Sequence, residues 1–169
     1  MKKYELTDET IEVYGTALHR IKALKDFGNV KKGELGGYVE SERNLSQEGN
    51  CWVCGNAKVC GDAEVCGNAK VCGDAKVCGN AWVFGNAEVC GNARVYGDAD
   101  YITIKGLGSK YRNTTIFRTK ENIAVKCGCF YGTLAEFVDK VKETHGNSKF
   151  AKEYLALIDL VKIHFELEE

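Results

Sequence analysis

Residues 53–100 repeat one six-residue phrase, Val-Cys-Gly-Asn/Asp-Ala-x, with small variations. Val53, Val59, Val65, Val71, Val77, Val83, Val89 and Val95 are each followed four positions later by an alanine, from Ala57 to Ala99. Residues two apart on a strand share a face, so each Ala-x-Val is a short strand with both small apolar side chains turned inward. Gly-Asn or Gly-Asp then makes the corner, because these residues tolerate positive φ. Sides this short cannot form an alternating hairpin sheet. The chain must coil, each side stacking on the coil above, as short-period repeats do. Glycine is phased and proline is absent, which argues for a repeating turn rather than disorder.

Valine followed at +4 by alanine, every six residues, resembles the hexapeptide repeat of left-handed parallel β-helices. That resemblance implies three hexads per triangular turn, so the nine hexads from Gly49 to Ile102 imply three coils. The left hand comes from the resemblance alone, since general chain chirality favours the opposite one. The expected fold is mostly β: a left-handed parallel β-helix with a degenerate N-terminal coil and a small α+β C-terminal cap.

Three segments follow. Residues 1–36 read as a strand-rich N-terminal cap, with a hairpin around Gly15-Thr16 that covers the first coil's open edge. Residues 37–102 are the β-helix. In its first, degraded hexads the phase puts Val39 and Leu45 in the alanine slot and Ser41 and Gln47 in the valine slot. Residues 103–169 are the C-terminal cap: the pattern changes at Tyr101, with strands read in "YITIK", "NTTIFRT" and "NIAVKCG", then two helices. The first helix opens on a capping box, Thr133 to Glu136, and ends at Gly146; the second covers about residues 148–167.

Stacking every third hexad gives three outward ladders. Lys58, Lys76 and Arg94 form a basic strip beside Tyr96, a candidate ligand site. Trp82, Phe84 and Ile102 gather on another face as a candidate oligomer interface, since aromatic residues favour interface cores. Six of nine cysteines fill the slot after the inward valine. They point outward in lines, which suits packing better than the convergent thiolates of a metal site. Stacked pairs are near disulfide range but badly aimed, so reduced thiols are expected. Cys127-x-Cys129 is too weak a pattern for a metal site. No metal or cofactor is expected.

The net charge is −1, and no segment is a charged tail, so no extended nucleic acid is expected as partner. No apolar run has the length of a signal peptide or a membrane span, and the expected location is cytoplasmic. Hexapeptide proteins include acyltransferases and carbonic anhydrases that use histidine on their coils. Here His19, His145 and His164 all lie outside the coils, so the expectation is a non-enzymatic protein. "DFGNVKKGELGGYVESERNLSQEGNCWVCGNA" and "CGCFYGTLAEFVDKVKETHG" also resemble proteins carried by phages and prophages. Analogy with hexapeptide proteins implies a homo-oligomer, a trimer, and the phage resemblance places it in the host cytosol. Clefts between its subunits would take a nucleotide-like signal or a host defence protein. The alternatives are a purely structural trimeric scaffold and an acyltransferase-like enzyme.

Overall fold

The computed structural model describes residues 1–168 and is mostly β, with a three-sided β-solenoid of nearly three turns and two C-terminal helices. The solenoid is built from eight two-residue strands, each an outward residue followed by the inward valine. They run from β4 (Trp52–Val53) through β5 (Lys58–Val59), β6 (Glu64–Val65), β7 (Lys70–Val71), β8 (Lys76–Val77), β9 (Trp82–Val83) and β10 (Glu88–Val89) to β11 (Arg94–Val95). All stacked pairs are parallel and in register, valine on valine: Val53 on Val71 on Val89, Val59 on Val77 on Val95, and Val65 on Val83. Backbone bonds join the coils, as from Cys54 N to Val71 O at 2.8 Å and from Lys58 N to Ala75 O at 2.9 Å. Every repeat valine, and every repeat alanine from Ala57 to Ala93, is fully or almost fully buried.

The corners explain the glycine. Gly55 to Gly91 all have φ between 62° and 69°, and glycine stacks on glycine up the edge. A Cβ on Gly73 would stand 3.0 Å from both the N and the O of Gly91, whereas one on Gly85 would meet nothing within 4 Å. Both alanine substitutions carry the left-handed backbone cost of about 1–2 kcal/mol. Gly73→Ala should therefore lower the urea midpoint more than Gly85→Ala does. Equal midpoints would mean that the coils separate freely at that corner.

At the N-terminal end, β1 (Tyr4–Val13) and β2 (Thr16–Ala23) form the expected hairpin. Its turn is Tyr14-Gly15, both at positive φ (51° and 78°), the conformation that suits strand twist in two-residue hairpins. β2 pairs with β3 (Leu35–Val39), which pairs with β5, so the hairpin extends one solenoid face into a sheet ordered β1-β2-β3-β5-β8-β11.

The degraded coil corrects the sequence reading. Val39 stacks on Val59 and Leu45 on Val65, so both occupy the valine slot, and Ser41 and Gln47 do not. The corner at Ser46–Glu48 absorbs two extra residues before regular stacking resumes, with Trp52 on Lys70. The end is sealed by polar groups that satisfy bare carbonyls. Buried Asn44 donates to Gly61 O (3.0 Å) and Ala63 O (2.8 Å), and the Tyr4 hydroxyl donates to Leu45 O (2.6 Å). Gln47 accepts from Lys3 N at 2.8 Å, which ties the hairpin to the corner.

At the other end the ninth hexad keeps its Gly-Asp-Ala, with Tyr101 in place of the valine, but leaves the solenoid. Gly97 is extended (φ −159°), Ala99 is exposed, and Asp98–Asp100 turn as a short 3-10 helix. The chain then enters an antiparallel sheet of β12 (Tyr101–Leu107), β13 (Arg112–Arg118), β14 (Ile123–Cys127) and β15 (Phe130–Thr133). Alternation divides its side chains between two cores. Tyr101, Phe117 and Ala124 close the solenoid, while Ile116, Val125 and Cys127 face α1 (Leu134–His145) and α2 (Lys149–His164). The capping box is as expected: the Thr133 side chain accepts from Glu136 N, and Glu136 Oε2 accepts from Thr133 N at 2.7 Å.

Candidate functional site

The β5-β8-β11 face carries Lys58, Lys76 and Arg94 outward in register. Two distant segments wall its upper half. The hairpin tip brings Tyr14 over it, with Lys76 Nζ 5.2 Å from the Tyr14 ring centroid. The cap brings the turn after β13, held to the solenoid by a bridge between Ala93 and Thr119. Between them is an open cleft of about 560 Å³, lined by Tyr14, Lys76, Arg94, Tyr96, Asp100, Arg118, Thr119 and Lys120.

Of the residues expected here, Lys76, Arg94 and Tyr96 come together, and Lys58 does not. It lies one coil lower, its Nζ donating to Asn56 O at 2.8 Å. Tyr14, Arg118 and Lys120 join the site with no sequence signal, because only tertiary folding brings them near.

The cleft is positive. Its lining has four cations and one carboxylate, Asp100, which pairs with Arg118 at 3.1 Å. Among the described residues, Lys76, Arg94 and Lys120 have no ion-pair partner. Arg94 is pre-positioned: one guanidinium nitrogen donates to the backbone oxygens of Asp74 (3.1 Å), Asn92 (3.0 Å) and Ala93 (2.8 Å). Those carbonyls orient the guanidinium plane without neutralising it. Burial, with Tyr14 close by, pushes the Tyr96 phenol up, so Tyr96 is a neutral hydrogen-bonding aromatic. Tyr14 is 82% exposed and stands at the mouth. The arrangement offers fixed cations to an anion and two phenol rings to a flat apolar group.

On another face, Trp82 and Phe84 lie against each other, ring centroids 5.0 Å apart, and are about half exposed. Trp82 Nε1 donates to Cys66 Sγ at 3.0 Å. Ile102 is not with them. It pairs with Ile116 across β12 and β13 and packs on the helix-side core, because the chain has already left the solenoid.

The thiol ladders differ from expectation at one place. Cys54 and Cys72 form a disulfide across one coil rise, Cα to Cα 4.7 Å. In-register stacking sets that separation inside the usual disulfide span, so the pair is better placed than the parallel directions of the ladder suggest. Cys60 and Cys78 stack in the same register, with the Cys78 thiol hydrogen-bonded to Cys60; that bond holds Cys60 below the usual thiol range and Cys78 above it. Cys66 has Phe84 in the stacking position instead. Oxidised glutathione should therefore link Cys60 to Cys78, while Cys66 forms no cross-coil disulfide. Peptide mass mapping checks this, and a dominant Cys66 cross-link would contradict the ladder register.

No helix among the described residues is long and apolar enough to cross a membrane. No family model matches the chain. Over 61 residues it is 39% identical to the uncharacterized acetyltransferase YdcK of Escherichia coli (strain K12), covering 31% of this chain and 19% of that protein. The chain thus spans about a fifth of that relative's length. The valine ladders and positive-φ glycine corners define the class of fold, a hexapeptide-repeat β-helix.

Proposed function

We propose that this protein is a non-enzymatic binder whose cleft, between the Tyr14 turn, the Lys76–Arg94 ladder and the Lys120 turn, takes a small nucleotide-like anion. The observation that carries this reading is a set of three cations without carboxylate partners among the described residues, one held in place by backbone carbonyls, between two tyrosines. Arg94 and Lys76 would hold phosphate through charge-assisted hydrogen bonds, and Tyr14 or Tyr96 would stack on a base. The resemblance to phage-carried proteins makes a host signalling nucleotide the first candidate and sequestration the first mechanism. Calorimetric titration with cyclic dinucleotides, cyclic oligonucleotides and ADP-ribose tests this. Micromolar or tighter binding of one of them supports the reading, and no heat from any of them sinks it.

The exposed Trp82–Phe84 pair supports association of copies, with a trimer as the form that other hexapeptide proteins suggest. Changing both residues to lysine should convert the oligomer to monomer in light scattering. A wild-type monomer at micromolar concentration would end this part of the proposal. The relative's name raises acyl transfer as a second reading. Against it, no histidine lies on the coils, and His164 is engaged with Ala99 O at 2.8 Å. Turnover of acetyl-coenzyme A by the purified protein, lost in no-enzyme controls, would favour that second reading.

A further inference from the structure

The cap contains a second cavity, sharing no residue with the coil cleft. It has a volume of about 300 Å³ and lies between the helices, the β12–β13 turn and the β14–β15 turn. Its inner wall is made by Cys127, Phe137, Val141 and Tyr154, exposed by 7%, 3%, 3% and 5%. Tyr154 is fixed there: its hydroxyl donates to Leu107 O at 3.2 Å, and its ring stacks on His145 at 5.9 Å. The mouth carries Lys110, Arg112 and Lys140, and among the described residues no aspartate or glutamate lines the cavity. Lys110 and Arg112 have no ion-pair partner among the described residues. Lys140 pairs with Glu143 at 2.8 Å, but both side chains are more than half exposed, so that pair is weak and easily opened.

We infer that this cavity is a binding site for a small organic anion with an apolar body, an aryl or short-chain carboxylate. The physical case is complementarity of two kinds. An apolar floor rewards a body that leaves water, at about 25 cal/mol per Å² buried. An uncompensated cationic rim rewards a single negative charge at the mouth, where Arg112 can accept a carboxylate in its planar fork. A cavity of about 300 Å³ lies at the small end of ligand pockets and suits a small aryl or short-chain anion. A neutral ligand of the same shape would gain the first contribution and lose the second.

The test uses the full chain and the fluorescent sulfonate 8-anilinonaphthalene-1-sulfonate, displaced by benzoate, hexanoate or neutral benzamide. Expected are one saturable site, displacement by the two carboxylates at least tenfold better than by benzamide, and tenfold or greater weakening in both Lys110→Glu and Arg112→Glu. The two altered side chains are exposed, so circular dichroism and melting should stay as in the wild type. Lys76→Glu, in the other cleft, should change nothing here, which separates this site from the nucleotide proposal. Non-saturable probe binding, equal displacement by benzamide, or indifference to both rim substitutions would each overturn the assignment. Thr144→Trp, which fills the mouth without touching the core, should block the probe even if a charge reversal disturbs folding.

Discussion

Val71→Asp leaves no folded protein. Val71 is fully buried, between Val53 below and Val89 above in the centre of one solenoid face. An aspartate there has no cation within the prism to pair with, and the neighbouring backbone groups are already engaged in the ladder, Cys54 N on Val71 O and Cys72 N on Val89 O. Protonating the carboxyl does not rescue it, since a neutral acid without a partner still costs several kcal/mol to bury. Total stability of a domain is only about 5–15 kcal/mol. Because each coil contacts only its neighbours, a break in the middle also uncouples the coils on either side. Val71→Ala is the control: it removes two methyl groups, and should cost about 1–3 kcal/mol while preserving the fold. Far-UV circular dichroism with a thermal melt distinguishes the two. A cooperative melt of Val71→Asp at the wild-type temperature would mean that the valines do not face inward.

The second large effect is on binding. With Lys76 and Arg94 proposed to contact the same anion, reversing both charges removes two charge-assisted hydrogen bonds and adds repulsion. At about 1.5–3 kcal/mol for each such bond, the affinity of whichever nucleotide binds should fall by about two orders of magnitude or more. Lys76→Glu should leave the melting temperature close to wild type, because its side chain points away from the core and has no ion-pair partner among the described residues. Arg94→Glu also gives up the bonds to Asp74, Asn92 and Ala93 and should melt somewhat lower while staying folded. Arg94→Glu should be the more damaging to binding, since the carbonyls of Asp74, Asn92 and Ala93 hold its planar, forked guanidinium ready while Lys76 offers a single point charge. Wild-type affinity should weaken with added salt, and that slope should flatten in the double variant. An affinity unchanged by either substitution would move the site elsewhere.

Where the sequence is regular, it specifies the structure closely. The +4 spacing of valine and alanine, with Gly-Asn or Gly-Asp between, leaves one way to bury small side chains, and the solenoid follows. The hairpin, read at Gly15-Thr16 and turning one residue earlier at Tyr14-Gly15, and the Thr133–Glu136 cap are legible for the same reason: each is a local motif with its own hydrogen-bonding logic. The errors fall where the period continues in letters but not in space. Two additional residues at Ser46–Glu48 shift Val39 and Leu45 into the valine slot, and spacing alone does not reveal a corner's length. Gly97-Asp98-Ala99 still spells a hexad, but Asp98 and Asp100 side chains accept from Trp82 N and Tyr96 N and turn the chain out of the coil. Ile102 leaves with it. β15 carries no sequence signal, because "FYGT" shows no strand alternation. Half of the candidate cleft is legible as a ladder of cations. Tyr14 and Lys120 are not, because more than a hundred residues of chain separate them.

The proposed function stands or falls on whether the positive cleft over Lys76 and Arg94 retains a small anion. Native mass spectrometry of the protein, gently purified from cell extract beside the Lys76→Glu/Arg94→Glu variant, tests this without choosing a ligand beforehand. Each wild-type subunit should carry an added mass of a few hundred daltons that releases a phosphate-containing aromatic compound on denaturation, and the folded variant should lack it. The same mass retained by both proteins, or a wild type with no bound compound that also ignores every nucleotide offered, would contradict the proposal.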